Sequence, residues 1–307
     1  KALEFDEELA DAWFNLGHLV ESGDSIDVNG TKFTEQELYA EALKHDSEHA
    51  DAWHSLGVSM EPDTTVVVNG KKFTEEKLYL QSLKHNAENA ETWYNLGHTM
   101  QQGDLVIIND QEFTDQEVYV EALTHDPEHA DAWYNLGYSM EPGDSVFVND
   151  TEYSDQEVYV EAITHDPEHT DAWYNLGGLM EASEIDTVFV NGKDMTLQGV
   201  YVKVLKLDDE YSAAWNNLGA IVASDGTVII GEEEYSKQEL LVEALNRDPE
   251  CEDAWTNLGN AMFGDDRNTV NGEKFSKEEC LAKGVELNAK AKAEEGEEED
   301  DDEIVEG

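Results

Sequence analysis

The chain has 307 residues, of which 72 are Asp or Glu and only 18 are Lys or Arg, giving a formal net charge of -54. That balance speaks against nucleic acid, whose binding needs cationic groups to displace counterions from phosphates, and against an anionic membrane surface. Basic proteins, cationic peptide segments and divalent cations are the natural complements, although the same acids serve equally as a solvated surface that keeps an elongated protein soluble or suits it to high salt.

No apolar run approaches the roughly 18 residues of a membrane span. Cys251 and Cys280 are the only cysteines, too few for a disulfide framework, so free buried thiols are expected and the compartment stays open. The chain opens on KALEFDEELADAW, which matches the late part of a later repeat, EALTHDPEHADAW, so an upstream segment is expected.

The tryptophans set the organisation. Trp13, Trp53, Trp93, Trp133, Trp173, Trp215 and Trp255 are spaced 40, 40, 40, 40, 42 and 40 residues apart. A fixed period of this length marks a repeat array in which each unit buries its apolar face against its neighbours. In place of the two or so globular domains that length alone suggests, one array over 1–290 is expected. Its first helices start near 10, 50, 90, 130, 170, 212 and 252, and an acidic tail covers 291–307.

Residues 130–165 show the order of elements. Ala132, Trp133, Leu136 and Met140 fall at helical spacing, with Gly137 small enough to let another helix approach. Pro142 and Gly143 end this first helix. Val146 and Val148 alternate around Phe147 and lead through a polar pair to Tyr153, a short hairpin. The pair recurs as Asn29-Gly30, Asn69-Gly70, Asn109-Asp110, Asn149-Asp150, Asn191-Gly192 and Asn271-Gly272, all suited to a type I′ turn; only Gly231-Glu232 departs. A second helix then opens on a capping box, read at Thr34/Glu37, Thr114/Glu117, Ser154/Glu157, Ser236/Glu239 and Ser276/Glu279, with Thr74 and Thr196 lacking the acid. Val158, Tyr159, Ala162 and Ile163 are its buried stripe, and Asp166-Pro167 ends it. The expected class is mainly α with short β-hairpins, about seven helix–hairpin–helix repeats.

Trp-Tyr-Asn-Leu-Gly in the first helix, Tyr and Ala-Leu in the second, and Asp-Pro at the link resemble the tetratricopeptide repeat over nearly the whole chain. By that resemblance Trp133, Leu136 and Gly137 are first-helix packing residues, Tyr119 and Ala122 second-helix ones, and Pro127 the inter-repeat proline. The unit is longer than the familiar one of about 34 residues, and the surplus falls at the hairpin. The resemblance implies a right-handed α-solenoid whose concave side, lined by first helices, binds peptides or proteins. Some members of that family grip a terminal carboxylate with Lys, Asn and Arg. Here the Asn matches at Asn95, Asn135 and Asn175, with no Lys or Arg near it, while Asp131 and Asp171 take a groove position. A Lys- or Arg-rich segment is therefore attracted, and Tyr94, Tyr134, Tyr138 and Tyr174, read as exposed, add cation–π faces. The same Asn and Tyr serve equally as packing residues between repeats.

His125/His129 and His165/His169 have the spacing of metal ligands on a helix, but the Asp-Pro between them ends the helix, and packing or helix C-terminal capping is the expected role. No metal or cofactor site is assigned. His45, His85, His125 and His165 stand at successive helix ends, where protonation near pH 6 would soften the negative field. Asn29-Gly30-Thr31 and Asn149-Asp150-Thr151 are sequons at hairpin tips, a pattern the turn itself also produces. EEGEEEDDDE, 294–303, is a like-charge run of the kind that stays without structure. KGVELNAKAKAEEG, after the last hairpin, suits a capping helix.

No catalytic constellation recurs or converges, so no enzyme activity is expected. Two functional readings result. One is an interaction scaffold for a basic protein or peptide, which fits a cytoplasmic setting. The other is a structural protein that self-associates end to end into filaments, which fits an extracellular setting with glycans at Asn29 and Asn149. Cation buffering, with a calcium-dependent melting temperature, is a third.

Overall fold

The structure is a computed structural model that describes residues 8–21 and 23–302, with side chains as far as residue 293. The chain divides into two compact units, 1–165 and 166–307. The first holds helices α1 (Ala10–Gly17), α2 (Glu35–His45), α3 (Ala50–Val58), α4 (Glu75–His85), α5 (Ala90–His98), α6 (Asp115–His125), α7 (Ala130–Ser139) and α8 (Asp155–His165). Its hairpins are β1 (Ser25–Val28) with β2 (Thr31–Thr34), β3 (Val66–Val68) with β4 (Lys71–Phe73), β5 (Leu105–Ile108) with β6 (Gln111–Thr114), and β7 (Ser145–Val148) with β8 (Thr151–Ser154). The second unit holds α9 (Thr170–Ala182), β9 (Thr187–Val190), β10 (Lys193–Thr196), α10 (Leu197–Leu207), α11 (Ser212–Ile221), β11 (Thr227–Ile230), β12 (Glu233–Ser236), α12 (Lys237–Arg247), α13 (Glu252–Ala261), β13 (Arg267–Val270), β14 (Glu273–Ser276) and α14 (Lys277–Asp302). Every repeat is helix, antiparallel two-stranded hairpin, helix.

The turns follow their residue types. At Asn149-Asp150 both central residues have positive φ, 47° and 64°, as do the other Asn-Gly and Asn-Asp pairs. At the departing pair only Gly231 does, with φ 65°, the signature of a type II′ turn that glycine alone favours. Each second helix begins on the expected cap: Ser154 Oγ accepts from Glu157 N while Glu157 Oε2 accepts from Ser154 N, and Thr74 and Thr196 accept only the forward bond.

Within a repeat the two helices close on a glycine. Tyr39, Tyr79, Tyr119, Tyr159 and Tyr201 lie against Gly17, Gly57, Gly97, Gly137 and Gly177. In the sixth and seventh repeats Leu241 and Leu281 take the place of the ring at Gly219 and Gly259. Each tryptophan is at most 6% exposed. Except at Trp173, whose hairpin carries Met195 instead, the ring packs on an aromatic residue of its own hairpin, as in Trp13–Phe33 (5.1 Å), Trp133–Tyr153 (4.9 Å) and Trp255–Phe275 (4.7 Å). From Trp53 onward the indole N–H reaches back six residues to a carbonyl, from Trp133 to Pro127 O at 2.9 Å and from Trp255 to Pro249 O at 2.8 Å. The proline of the link thus positions an acceptor as well as ending a helix.

Two expectations are corrected. Cys280 is buried, its thiol pushed up to about 11 by desolvation, but Cys251 is only half-buried, because it occupies the residue that starts α13. The acidic run expected to lack structure continues α14 as backbone helix to Asp302. Glu is a good helix former, and extending an existing helix avoids the cost of nucleation. Residues 303–307 and the opening residues 1–7, on which the tail and the upstream expectation also rest, lie outside the described residues.

Candidate interaction surface

The predicted groove residues stand on the first helices, but they do not share one environment. Asp131 and Asp171 are exposed, and so is Tyr138, at 72%. Tyr94, Tyr134, Tyr174, Asn95, Asn135 and Asn175 are half-buried, which corrects the expectation of four exposed tyrosines. For Tyr94 and Tyr174 the cause is the neighbouring repeat. Tyr94 packs at 4.6 Å against His129, the two rings tilted by 40°. Tyr174 packs at 4.8 Å on Tyr211 and accepts from Asn217 Nδ2 at 3.4 Å. Burial, reinforced by the Asp131 and Glu91 carboxylates, pushes the Tyr94 hydroxyl above its ordinary range. Tyr134 packs near Tyr138 and Tyr159, at 6.4 and 6.1 Å.

The second histidine of each HDPEH segment has a role the sequence reading missed. His129 is not paired with His125; it caps α7, its Nδ1 accepting from Ala132 N at 3.3 Å. His49 and His169 cap α3 and α9 in the same way. The opposite ring nitrogen faces an acid on the preceding first helix, Nε2 standing 3.3 Å from Asp11 in His49 and 3.3 Å from Glu91 in His129. The first histidine closes the second helix on its own acid, His165 Nε2 lying 3.6 Å from Glu161. Among the described residues no group of three or more His, Cys, Asp or Glu is placed to hold a metal ion.

Each first helix but the sixth therefore begins with an exposed acid: Asp11, Asp51, Glu91, Asp131, Asp171 and Asp253. The hairpins add a second exposed feature. The outward residue of the first strand is apolar at Val67, Ile107, Phe147, Phe189 and Ile229, all more than half exposed. In four of the five the cross-strand partner is acidic: Glu112, Glu152, Asp194 and Glu234.

The sequon asparagines sit at hairpin tips. Asn149 Nδ2, the atom a glycan would join, donates to Leu123 O at the end of α6 (3.3 Å). Asn69 and Asn271 make the same bond to Leu43 O and Leu245 O. The asparagine is therefore a clip between repeats as well as a turn former.

No protein-family model and no curated protein matches the chain. Among solved structures it is similar to YrrB, a TPR protein with an unusual peptide-binding site, at 17% identity and a TM-score of 0.45, over 71% of this chain and 95% of that one. It is also similar to yeast Tom70, at 15% identity and a TM-score of 0.38, over 85% of this chain and 49% of that one. The chain thus spans about half the length of the latter.

Proposed function

We propose that the protein is a non-enzymatic interaction scaffold whose acidic first-helix and hairpin surfaces receive a basic protein segment. The observation that carries the reading is one-signed charge. No Lys or Arg occurs between Lys84 and Lys193, while exposed acids open the first helices and flank the exposed apolar residues of the hairpins. A field of this kind steers cationic ligands and repels carboxylate-bearing ones. Exposed Ile107, Phe147 and Phe189 suit a partner that mixes basic with apolar side chains.

The test is fluorescence anisotropy of a labelled lysine-rich peptide against a glutamate-rich one of equal length, over a series of salt concentrations. The reading expects binding of the first only, weakening as salt screens the field. Equal binding of both peptides, or of neither, would overturn it. Electron microscopy of the same sample distinguishes discrete particles, expected of a scaffold, from ordered fibres, expected of end-to-end assembly.

A further inference from the structure

Building on that reading, we propose that the cavity between the end of α5 and the start of α6 is a socket for a lysine ammonium of the bound segment, and that the second repeat repeats it. The chain carries its own precedent. In the sixth and seventh repeats the second helix begins with lysine, and the ammonium turns onto carbonyls at the end of the first helix. Lys237 Nζ donates to Ala220 O and Val222 O at 2.7 and 2.9 Å, and Lys277 Nζ donates to Met262 O at 3.2 Å. Helix C-terminal carbonyls carry the partial negative charge that favours a cation there.

In the third repeat the same positions read differently. His98 and Met100 correspond to Ala220 and Val222, but the residue in the place of Lys237 is Asp115. These three residues, with Tyr119 and Tyr138, line a cavity of about 210 Å³. Asp115 is only 7% exposed, and its Oδ1 accepts from Gly103 N at 3.2 Å. No Lys or Arg of the surrounding sequence is available to it. In the second repeat Met60 and Glu75 line the corresponding space, a cavity of about 630 Å³.

Where two repeats supply an ammonium, two others thus supply a carboxylate and room. A buried carboxylate costs least when a cation pairs with it, and in the third repeat Tyr119 and Tyr138, which line the cavity, suit both the methylenes and the charge of a lysine. Two carbonyls converging on one nitrogen in the sixth repeat fit a compact ammonium better than a planar guanidinium.

The experiment uses the full chain and a labelled peptide of alternating lysine and alanine. The double variant Glu75→Lys and Asp115→Lys gives repeats two and three the residue that repeats six and seven carry, and so fills both sockets from within. It is compared with Glu88→Lys and Glu128→Lys, the same charge change at exposed positions in the links between repeats, outside the first-helix and hairpin surfaces proposed to receive the segment. The socket variant is expected to weaken binding about tenfold and the surface variant less than about threefold, the second acting only through the screened field. Circular dichroism melts check that both fold, and Asp115→Asn, which removes the charge with little change of shape, is expected to fall between them. Equal weakening by the two double variants overturns the socket and leaves the acidic-scaffold reading standing. Failure of the peptide to bind the native chain removes both. An alternating arginine–alanine peptide that responds identically to all variants overturns the preference for lysine.

Discussion

Tyr201 lies across Gly177, so close that a Cβ on the glycine would stand 2.7 Å from the ring's Cε1, whereas a Cβ on the adjacent Gly178 would meet nothing within 4 Å. Both glycines are in α9, so their helix propensities cancel and only the neighbour differs. Gly178→Ala should stabilise by about 0.5–1 kcal/mol, the helix-interior cost of glycine. Gly177→Ala gains the same propensity but forces the buried ring to move, and overpacking of this kind costs about 1–3 kcal/mol. Urea denaturation of the two variants should shift the midpoint in opposite directions. A stabilised Gly177→Ala would mean that the ring does not hold the helix pair together.

Trp133 tests the link between repeats. Trp133→Phe keeps much of the contact with Tyr153 but leaves Pro127 O without its indole donor. Losing this part-buried hydrogen bond costs about 0.5–1.5 kcal/mol, while Trp133→Ala, which also opens a cavity, should cost about 3–5 kcal/mol. If Trp133→Phe melts like the native chain, water satisfies the carbonyl and the proline's role reduces to ending a helix.

What the sequence displays is local order. Hydrophobic spacing around Trp133 and Tyr159, the Asn-Gly turns and the Ser154/Glu157 cap each involve residues close in sequence, so periodicity and turn chemistry reveal them. The contacts between repeats were not legible in this way. Asn149 to Leu123 and Tyr94 to His129 join residues 26 and 35 positions apart, and only the stacking geometry brings them together. For the same reason Tyr94 and Tyr174 read as exposed, being alone on a helix face until the next repeat covers them. His129 as a cap was hidden because histidine is not among the preferred cap residues. A signal for the socket was present in the alignment of repeats, where Lys237 and Lys277 fall on the positions of Glu75 and Asp115.

His54 should give the fold an acid sensitivity. It takes the position of Tyr94, is half-buried, and its Nδ1 lies 3.0 Å from Thr92 Oγ1. Burial lowers its pKa against the opposing pull of Glu91 and Asp51. The unfolded chain therefore binds a proton first as pH falls, so the contribution of His54 to stability is complete above about pH 6.5 and declines below it. His54→Tyr, which installs the residue of the next repeat, should reduce the fall in melting temperature between pH 7 and pH 5. An unchanged slope would assign that fall to other groups.

At high pH the sign is set by phenols. Burial raises the hydroxyls of Tyr39, Tyr79, Tyr119, Tyr159 and Tyr201 above the ordinary tyrosine value. A raised folded value means that their neutral form is favoured by the fold, so this contribution is full below about pH 10 and is lost as pH rises past it. These five of the 12 tyrosines should ionise together with the loss of helical circular dichroism. Phenolate absorbance that reaches completion while the helix signal is intact would show that their hydroxyls reach solvent in the folded state.

Asn149 joins two demands that substitutions can separate. Its φ of 47° favours glycine or asparagine, and its side chain donates to Leu123 O. Asn149→Gly keeps the turn and loses the clip, for an expected cost of about 0.5–1.5 kcal/mol. Asn149→Ala loses the clip and adds about 1–2 kcal/mol for a left-handed conformation that a Cβ disfavours. Stability by urea denaturation should therefore fall in the order native, glycine variant, alanine variant. A glycine variant as stable as the native chain would show that the hairpin tip does not hold α6, and an alanine variant equal to the glycine variant would show that the turn tolerates a Cβ there.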